Sequence, residues 1–295
     1  MARKKIVLII PYRGIGDLIF HLPLIRSLYK KYNSKINIIT NKVNKAKFLL
    51  KYEIGVKKIT YVNFDREDLI KNLFLLLKTI NSFDPDLSIL TASSKRLVVP
   101  LLLSNSKKRI YFKKSKVKDL SKYIIEQTKS QLSELEFNYD YSLIMPKKRN
   151  YYKNCFISID SRHEQNNWKK VYYINLIKRI VSIKKIKFLY INFDPSKVHK
   201  FYDIINIFKS NKKIIFTHKT HFSQIINLIY NSNYVIGNES GPICIGAALK
   251  KKVISIYYPK HTYKSSKTIY NQVKFFNSDT NNSKKIINSI INLLK

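Results

Sequence analysis

The chain has 295 residues, of which 45% are hydrophobic and 13% aromatic, and this composition excludes a wholly disordered protein. Its 56 basic and 18 acidic residues give a formal net charge of +38, and only nine of the basic residues are arginines. Two widely separated cysteines exclude a disulfide framework and a zinc motif, and no apolar run approaches the about 20 residues of a spanning helix. These features predict a cytoplasmic protein.

The first half of the chain alternates between strand-like and helix-like segments. Ile6–Ile10 is a continuous apolar run, which is typical of a strand buried on both faces. An amphipathic stripe over 17–32 follows, and the alternation continues from there. Such a series predicts a parallel sheet with helices on both faces. The predicted strands are 6–10, 36–40, 58–62, 87–91 and 109–112, and the predicted helices are 17–32, 65–80, 95–104 and 119–135.

A polar segment at 146–153 predicts a linker, after which the alternation begins again. We therefore predict an α/β protein with two Rossmann-like doubly wound domains, at 1–147 and 153–295, facing each other across a cleft. Ligands bind at the carboxyl ends of strands in such folds, and domain interfaces often hold their sites. The predicted strands of the second domain are 156–159, 187–193, 214–217, 234–236 and 253–258, and its predicted helices are 172–182, 195–208, 222–231, 242–249 and 282–294.

A glycine-containing loop joins the first predicted strand to the first predicted helix. Gly14 and Gly16 permit positive φ and the close approach of a ligand. Asp17 would begin the helix, where the helix dipole stabilises a carboxylate. Asp17 is either the N-cap of this helix or part of a site, and the two preceding glycines favour a site. Ile19 stands where a dinucleotide-binding fingerprint requires glycine, so that fingerprint is excluded.

A second motif, Gly-Asn-Glu-Ser-Gly-Pro over 237–242, follows the predicted strand 234–236 and opens a helix of small residues. Pro242 suits the first turn of a helix, where its missing N–H costs nothing. Backbone amides at the start of a helix bind anions. We interpret the segment as a phosphate site rather than as a helix that only packs.

A third polar segment, over 160–168, follows the predicted strand 156–159. Arg162 is the basic residue in this segment that best suits a diphosphate. Trp168 is the only tryptophan of the chain, and it either forms a wall of the pocket or packs in the core.

One acidic motif has the appearance of a metal site. Asp84-Pro-Asp86 spells the D-x-D pattern of some nucleotide-dependent enzymes, but it precedes the predicted strand 87–91. The amino end of a parallel strand is the wrong edge of the sheet for a ligand. We predict a turn there, and no catalytic metal.

The high positive charge has more than one interpretation. Lysines occur along the whole chain and no nucleic-acid-binding motif is present, so a lysine-rich surface explains the charge better than a specific nucleic-acid partner. A basic cluster over 107–118 includes Tyr111 and Phe112. It predicts peripheral contact with the anionic inner face of the cytoplasmic membrane, and a solvated loop is the alternative.

Three segments, in the right order, give the chain a resemblance to glycosyltransferase family 9, the ADP-heptose:lipopolysaccharide heptosyltransferase group. Residues 14–28 are similar to the family's opening pattern GxGDxxxxxPxxxxL. Residues 219–229 are similar to its KTSLxELxxLI helix, and residues 238–249 to its NDSGPxHxAAAL signature. The similarity extends over nearly the whole chain.

This resemblance implies a GT-B fold, with the acceptor held by the first domain and the nucleotide-sugar by the second. It implies an inverting transferase without metal or cofactor, which moves heptose or a related sugar from an ADP-heptose-like donor to a hydroxyl group. The acceptor would be lipid-linked or an oligosaccharide, such as the lipopolysaccharide core. Asp17 would be the catalytic base, beside Gly14 and Gly16. The implied donor contacts are Arg162, Lys169, Asn238, Glu239, Ser240 and Gly241.

The sequence departs from the family pattern at three places. Glu239 replaces an aspartate, Cys244 replaces a histidine, and Asn166 and Asn167 stand where a lysine or arginine precedes tryptophan. Cysteine cannot donate to a phosphate as imidazole does. These changes leave open a transferase for a different glycan or a protein, and a non-catalytic nucleotide-sugar-binding homologue. The net charge of +38 alone keeps a third alternative open, a basic nucleic-acid-binding protein.

Overall fold

The computed structural model describes residues 4–65, 67–146, 153–161, 167–257, 273–277 and 283–295. Most of the predicted linker and Arg162 lie outside these ranges. The chain divides into two compact units, Met1–Met145 and Pro146–Lys295. Each unit contains one sheet in which every strand pairing is parallel, so the predicted α/β class is confirmed.

The first unit has a five-stranded sheet in the order β3-β2-β1-β4-β5. The chain proceeds outward from β1 in one direction and then returns to β4 on the other side. This reversal creates a switch point between β1 and β4. The strands are β1 Ile6–Ile10, β2 Ile36–Thr40, β3 Val56–Tyr61, β4 Leu87–Leu90 and β5 Lys108–Tyr111. The helices are α1 Ile15–Phe20, α2 Leu22–Tyr32, α3 Ala46–Leu49, α4 Leu69–Asn81, α5 Lys95–Leu102 and α6 Leu120–Gln131.

The predicted helix over 17–32 is wrong in two respects. It begins earlier, at Ile15, and it is broken at His21 into α1 and α2. Pro23 lies in the first turn of α2, and it has no amide hydrogen to continue the hydrogen-bond ladder of α1. Helix α3 and the 3-10 turn Lys42–Asn44 that precedes it were not predicted either.

The second unit has a six-stranded sheet in the order β11-β10-β9-β6-β7-β8. Counted within the unit, this is the 3-2-1-4-5-6 order of a Rossmann fold, with its switch point between β6 and β9. The strands are β6 Lys153–Ser158, β7 Ile186–Asn192, β8 Ile214–Phe216, β9 Tyr234–Asn238, β10 Lys252–Tyr257 and β11 Val273–Asn277. The helices are α7 Lys170–Val181, α8 Tyr202–Phe208, α9 Phe222–Tyr230, α10 Gly241–Ala248 and α11 Ser283–Leu294.

Two elements of this unit differ from the predictions. The helix predicted over 195–208 is a 3-10 segment, Pro195–Phe201, followed by α8. Strand β11 was not predicted; it pairs in parallel with β10 at the edge of the sheet. Trp168 is buried in the core of the unit, where its ring meets Tyr173 edge to face at 5.1 Å.

Two surface predictions are also decided by the fold. Asp84 and Asp86 precede β4 as predicted, and they form ion pairs with Lys5 and Lys107 respectively. In the basic cluster over 107–118, Tyr111 is 37% exposed, but Phe112 is fully buried and packs on Tyr123. Of the two aromatic residues in this cluster, only Tyr111 is exposed at the surface. No helix of the described ranges combines the length and apolar character needed to cross a membrane.

Candidate active site

One candidate site lies at the switch point of the first unit. The loop after β1 carries Gly14, and Asp17 lies in the first turn of α1. Thr91 follows β4 directly. Parallel strands end at the same edge of a sheet, so these residues come together where ligands bind in this class of fold.

Asp17 is half-buried and is held by the start of its own helix. Gly14 is the N-cap of α1, and Asp17 is its third residue. The Asp17 Oδ2 atom accepts a hydrogen bond from the Gly14 amide at 3.0 Å. The alternative in which Asp17 is the N-cap is therefore wrong. Its carboxylate lies where the positive end of the helix dipole stabilises negative charge.

Gly14 is required for space rather than for backbone conformation. Its φ is −78°, and among the described glycines only Gly237 has a positive φ. Neither Gly14 nor Gly16 uses the positive φ that glycine permits. A Cβ atom on Gly14 would lie 2.5 Å from Asp17 Oδ2 and 2.9 Å from its Cγ. Any side chain at position 14 would displace the carboxylate.

A buried histidine connects the Asp17 backbone to β4. His21 is fully buried, with Nδ1 2.7 Å from the Asp17 carbonyl oxygen and Nε2 2.9 Å from the Thr91 hydroxyl. Because a carbonyl can only accept, Nδ1 carries the hydrogen. In the neutral ring Nε2 is an acceptor, and it shares the single Thr91 hydroxyl hydrogen with the Ile9 carbonyl at 3.1 Å. Burial lowers the pKa of His21 to about 4, although the bond to Asp17 opposes that change. The imidazole is therefore neutral near pH 7.

The depressed pKa of His21 predicts a loss of stability in acid. Below pH 6.5 the unfolded chain binds a proton that the folded protein does not bind until about pH 4. The free energy of unfolding should therefore fall by about 3 kcal/mol across that interval. Denaturant unfolding at pH 7 and at pH 4.5 measures this fall in the wild type and in His21→Gln. We expect a smaller fall in the variant, and equal falls would contradict the assignment.

A second candidate site lies at the switch point of the second unit, where β9 runs beside β6. Gly237 allows this close approach, because a Cβ atom there would collide with the Ser158 carbonyl oxygen. Ser158 Oγ also lies 3.4 Å from Ser240 Oγ. The two strands therefore bring residues 158 and 240 together at the carboxyl edge of the sheet.

Asn238 connects three segments of this unit. It is fully buried, and its Oδ1 accepts from the Trp168 amide at 2.9 Å. Its Nδ2 donates to the Ile159 carbonyl at 3.1 Å and to Asn167 Oδ1 at 3.2 Å. Every polar atom of the side chain is thus engaged within the protein. These bonds join β9 to the segments after β6 and before α7, and the role of Asn238 as a donor contact stays a prediction.

Asn167 and Lys197 extend this network. Asn167 donates to Asp160 Oδ1 at 3.0 Å and accepts from the Ser161 hydroxyl at 2.7 Å. Lys197 forms an ion pair with the same Asp160 oxygen at 3.0 Å, and both side chains are largely buried. Lys197 also donates to the Ser161 carbonyl. Lys197 was not predicted as a site residue. The polar segment 194–197, at the carboxyl end of β7, could have indicated it.

Ser240, Gly241 and Glu239 form the start of α10. Ser240 is the N-cap of α10, and its carbonyl accepts the first helical hydrogen bond, from Cys244, at 3.1 Å. The amides of Gly241 and Ile243 precede that bond, as is usual in the first turn of a helix. Glu239, Ser240 and Gly241 are half-buried. Free amides and the helix dipole make this turn suitable for an anion.

The remaining predicted donor contacts are less defined. Lys169 is the N-cap of α7, one residue after Trp168, and it is exposed. Arg162 lies outside the described residues. Within the part of the chain that the structure describes, no group of three or more His, Cys, Asp or Glu side chains is arranged to hold a metal ion.

Several solved structures that share this architecture are glycosyltransferases. A glycosyl transferase family 9 structure from Veillonella parvula has a TM-score of 0.76 at 14% identity, covering 97% of this chain and 89% of that one. E. coli ADP-heptose LPS heptosyltransferase II has a TM-score of 0.75 at 13% identity, covering 98% of both chains. E. coli heptosyltransferase WaaC with ADP-2-deoxy-2-fluoro heptose has a TM-score of 0.77 at 11% identity, covering 98% and 99%. The chain therefore has the GT-B architecture of these glycosyltransferases.

A sequence comparison assigns the family. The model of glycosyltransferase family 9 (heptosyltransferase) matches residues 113–290. The chain belongs to glycosyltransferase family 9, and the resemblance inferred from its motifs is confirmed. None of the curated proteins is similar enough in sequence to count as a match.

Proposed function

We propose that the protein is an inverting, metal-independent glycosyltransferase. It transfers heptose or a related sugar from a nucleotide-diphosphate donor to a hydroxyl of a lipid-linked or oligosaccharide acceptor, such as the lipopolysaccharide core. The observation that carries this proposal is Asp17, a carboxylate held by the Gly14 amide at the switch point of the first unit. The E. coli enzyme WaaC was solved with ADP and with an ADP-heptose analogue, which supports an ADP-linked donor.

Asp17 acts as the general base. A sugar hydroxyl is a weak nucleophile until a nearby base accepts its proton in the transition state. The acceptor oxygen then attacks the anomeric carbon from the face opposite the leaving group, and configuration inverts. The hydrogen bond from Gly14 fixes the direction in which the carboxylate points. His21 fixes the helix behind it, through the Asp17 carbonyl.

The start of α10 binds the departing diphosphate. Negative charge grows on the diphosphate as the bond to the sugar breaks, and donors already in place stabilise it. The amides of Gly241 and Ile243 and the Ser240 hydroxyl supply such donors, and Lys169 and Arg162 are the cations that the sequence predicts for the donor. Asn238 and Asn167 position this turn, and Glu239 accepts from a hydroxyl of the donor sugar.

The departures from the family pattern bear on the donor rather than on the chemistry. Asn167 is bonded to Asp160, Ser161 and Asn238, so it organises the pocket in place of adding a charge. Cys244 is 9% exposed and lies in α10, behind the proposed diphosphate turn. Glu239 is longer than aspartate by one methylene. This favours a donor sugar whose hydroxyl lies farther from the backbone at position 239 than the hydroxyl that an aspartate would reach.

A screen of nucleotide-sugars tests the proposal. A ligand that binds the folded protein raises its melting temperature by mass action. We expect ADP-heptose or a related ADP-sugar to raise it more than UDP- or GDP-sugars do. Transfer is then assayed with the best donor and a lipopolysaccharide-core acceptor. Binding with neither transfer nor donor hydrolysis would identify a non-catalytic homologue, and stabilisation by no nucleotide-sugar would contradict the proposal.

Gly14→Ala should impair turnover without unfolding the protein. The new Cβ would displace the Asp17 carboxylate, and a misplacement of about 1 Å can cost roughly 10²-fold in rate. Alanine tolerates the backbone conformation at this position, so the melting temperature should stay close to that of the wild type. Kinetic assays with the donor from the screen measure kcat. An unchanged kcat would show that the position of the carboxylate is not critical.

A further inference from the structure

The outer surfaces of α4 and α5 expose six large apolar side chains. We call this surface the α4–α5 face. In α4 the exposed fractions are 85% for Ile70, 67% for Phe74 and 44% for Leu75. In and just after α5, the exposed fractions are 53% for Val99, 53% for Leu102 and 67% for Leu103.

The opposite sides of the same helices already cover the sheet. Leu76 and Ile80 of α4 share one core cluster with Leu97 and Leu101 of α5. A helix at the surface of a globular protein normally carries polar residues opposite its buried stripe. Single exposed apolar residues are common, but several on two neighbouring helices mark an interaction surface.

The charges on these helices indicate what kind of surface covers the face. Neither α4 nor α5 contains an acidic residue, and both carry exposed lysines, Lys71 and Lys78 in α4 and Lys95 in α5. The nearest acids in the chain before α4 are Glu67 and Asp68. The whole protein has a formal net charge of +38. Exposed apolar side chains together with lysines complement an anionic lipid surface. Helices of this kind bind at the membrane interface through burial of apolar area and through electrostatic attraction to anionic headgroups.

We propose that the α4–α5 face docks on an anionic lipid bilayer. The two helices lie in the plane of the membrane surface, with their apolar side chains at the boundary between headgroups and acyl chains. The lysines contact the lipid phosphates. This assignment places the contact on α4 and α5 rather than on the basic cluster over 107–118. It does not depend on the proposed catalytic residues, because it concerns only where the protein binds.

Co-sedimentation of the full chain with vesicles tests the proposal. The vesicles contain phosphatidylcholine alone or phosphatidylcholine with phosphatidylglycerol. The test variant is Phe74→Ser with Leu103→Ser, and the control is Ile54→Ser, which removes an apolar side chain that is 61% exposed elsewhere in the same unit. All three replaced side chains are mostly exposed, so thermal melting should confirm that both proteins remain folded.

We expect the wild type and the control to bind vesicles that contain phosphatidylglycerol at physiological salt. Loss of the Phe74 and Leu103 side chains should weaken that binding at least about tenfold, because burial of one large apolar side chain raises the affinity by about tenfold. Equal binding by the test variant and the wild type would overturn the proposal. If both proteins also lose all binding at physiological salt, the lysines alone account for the binding. Failure of the wild type to bind would also overturn it. So would a wild-type dimer that the test variant dissociates, because the face would then hold a second copy.

Discussion

Asp17→Asn should lower kcat by about 10²–10⁴-fold, the usual contribution of a general base. Asparagine has nearly the same shape as aspartate, and its Oδ1 can still accept from the Gly14 amide, so α1 keeps its N-terminal hydrogen bond. What the variant loses is the ability to accept a proton from the acceptor hydroxyl. Kinetic assays of sugar transfer measure the loss.

Donor binding separates this role from a structural one. Asp17 and the proposed diphosphate turn belong to different units, so the donor-induced rise in melting temperature should be the same in Asp17→Asn and in the wild type. Turnover that survives the substitution would remove Asp17 from the base role. Turnover and donor stabilisation lost together would indicate a binding role instead.

Asn238→Ala should have the second large effect, on the stability of the second unit and on donor binding. Alanine would leave the buried Trp168 amide and the Ile159 carbonyl without their partner. Each orphaned group costs about 1–3 kcal/mol, so the loss of both partners should lower the free energy of unfolding by about 2–6 kcal/mol. Denaturant unfolding measures this change, and the donor-induced shift in melting temperature measures the effect on the pocket.

Asn238→Asp provides the matched comparison. Aspartate can still accept from the Trp168 amide, but it cannot donate to the Ile159 carbonyl or to Asn167. It would also place a charge in a fully buried position. We therefore expect it to destabilise the protein at least as much as alanine does. An aspartate variant as stable as the wild type would contradict the proposed role of the amide.

The parts of the fold that depend on local pattern could be predicted from the sequence. Buried strands such as β1 are continuous apolar runs. The motif at 237–242 runs from the last two residues of β9 into the first two residues of α10, so the carboxyl-edge position of the candidate site followed from the order of elements. The break at His21 was not predicted because the apolar stripe continues across it. Pro23 was the available signal, since it removes one amide from the ladder.

The network around Asn238 could not be predicted from the sequence. Its partners at 159 and 167 lie 70 or more residues away, and no local pattern encodes such hydrogen bonds. The asparagine at 167 seemed to be the loss of a cation, whereas the structure gives it three partners. Strand β11 was missed because it lies at the edge of the sheet and only Val273 in it is buried, so it carries no continuous apolar run.

The pairing of β6 with β9 has a consequence for biosynthesis. Strand β6 is synthesised early in the second unit, but its partner strand β9, which carries Asn238, follows about 80 residues later. Domains made first generally fold first on the ribosome, and distant contacts close late. The first unit can therefore fold while the second is still being translated, and the proposed diphosphate turn is among the last parts of the enzyme to take shape.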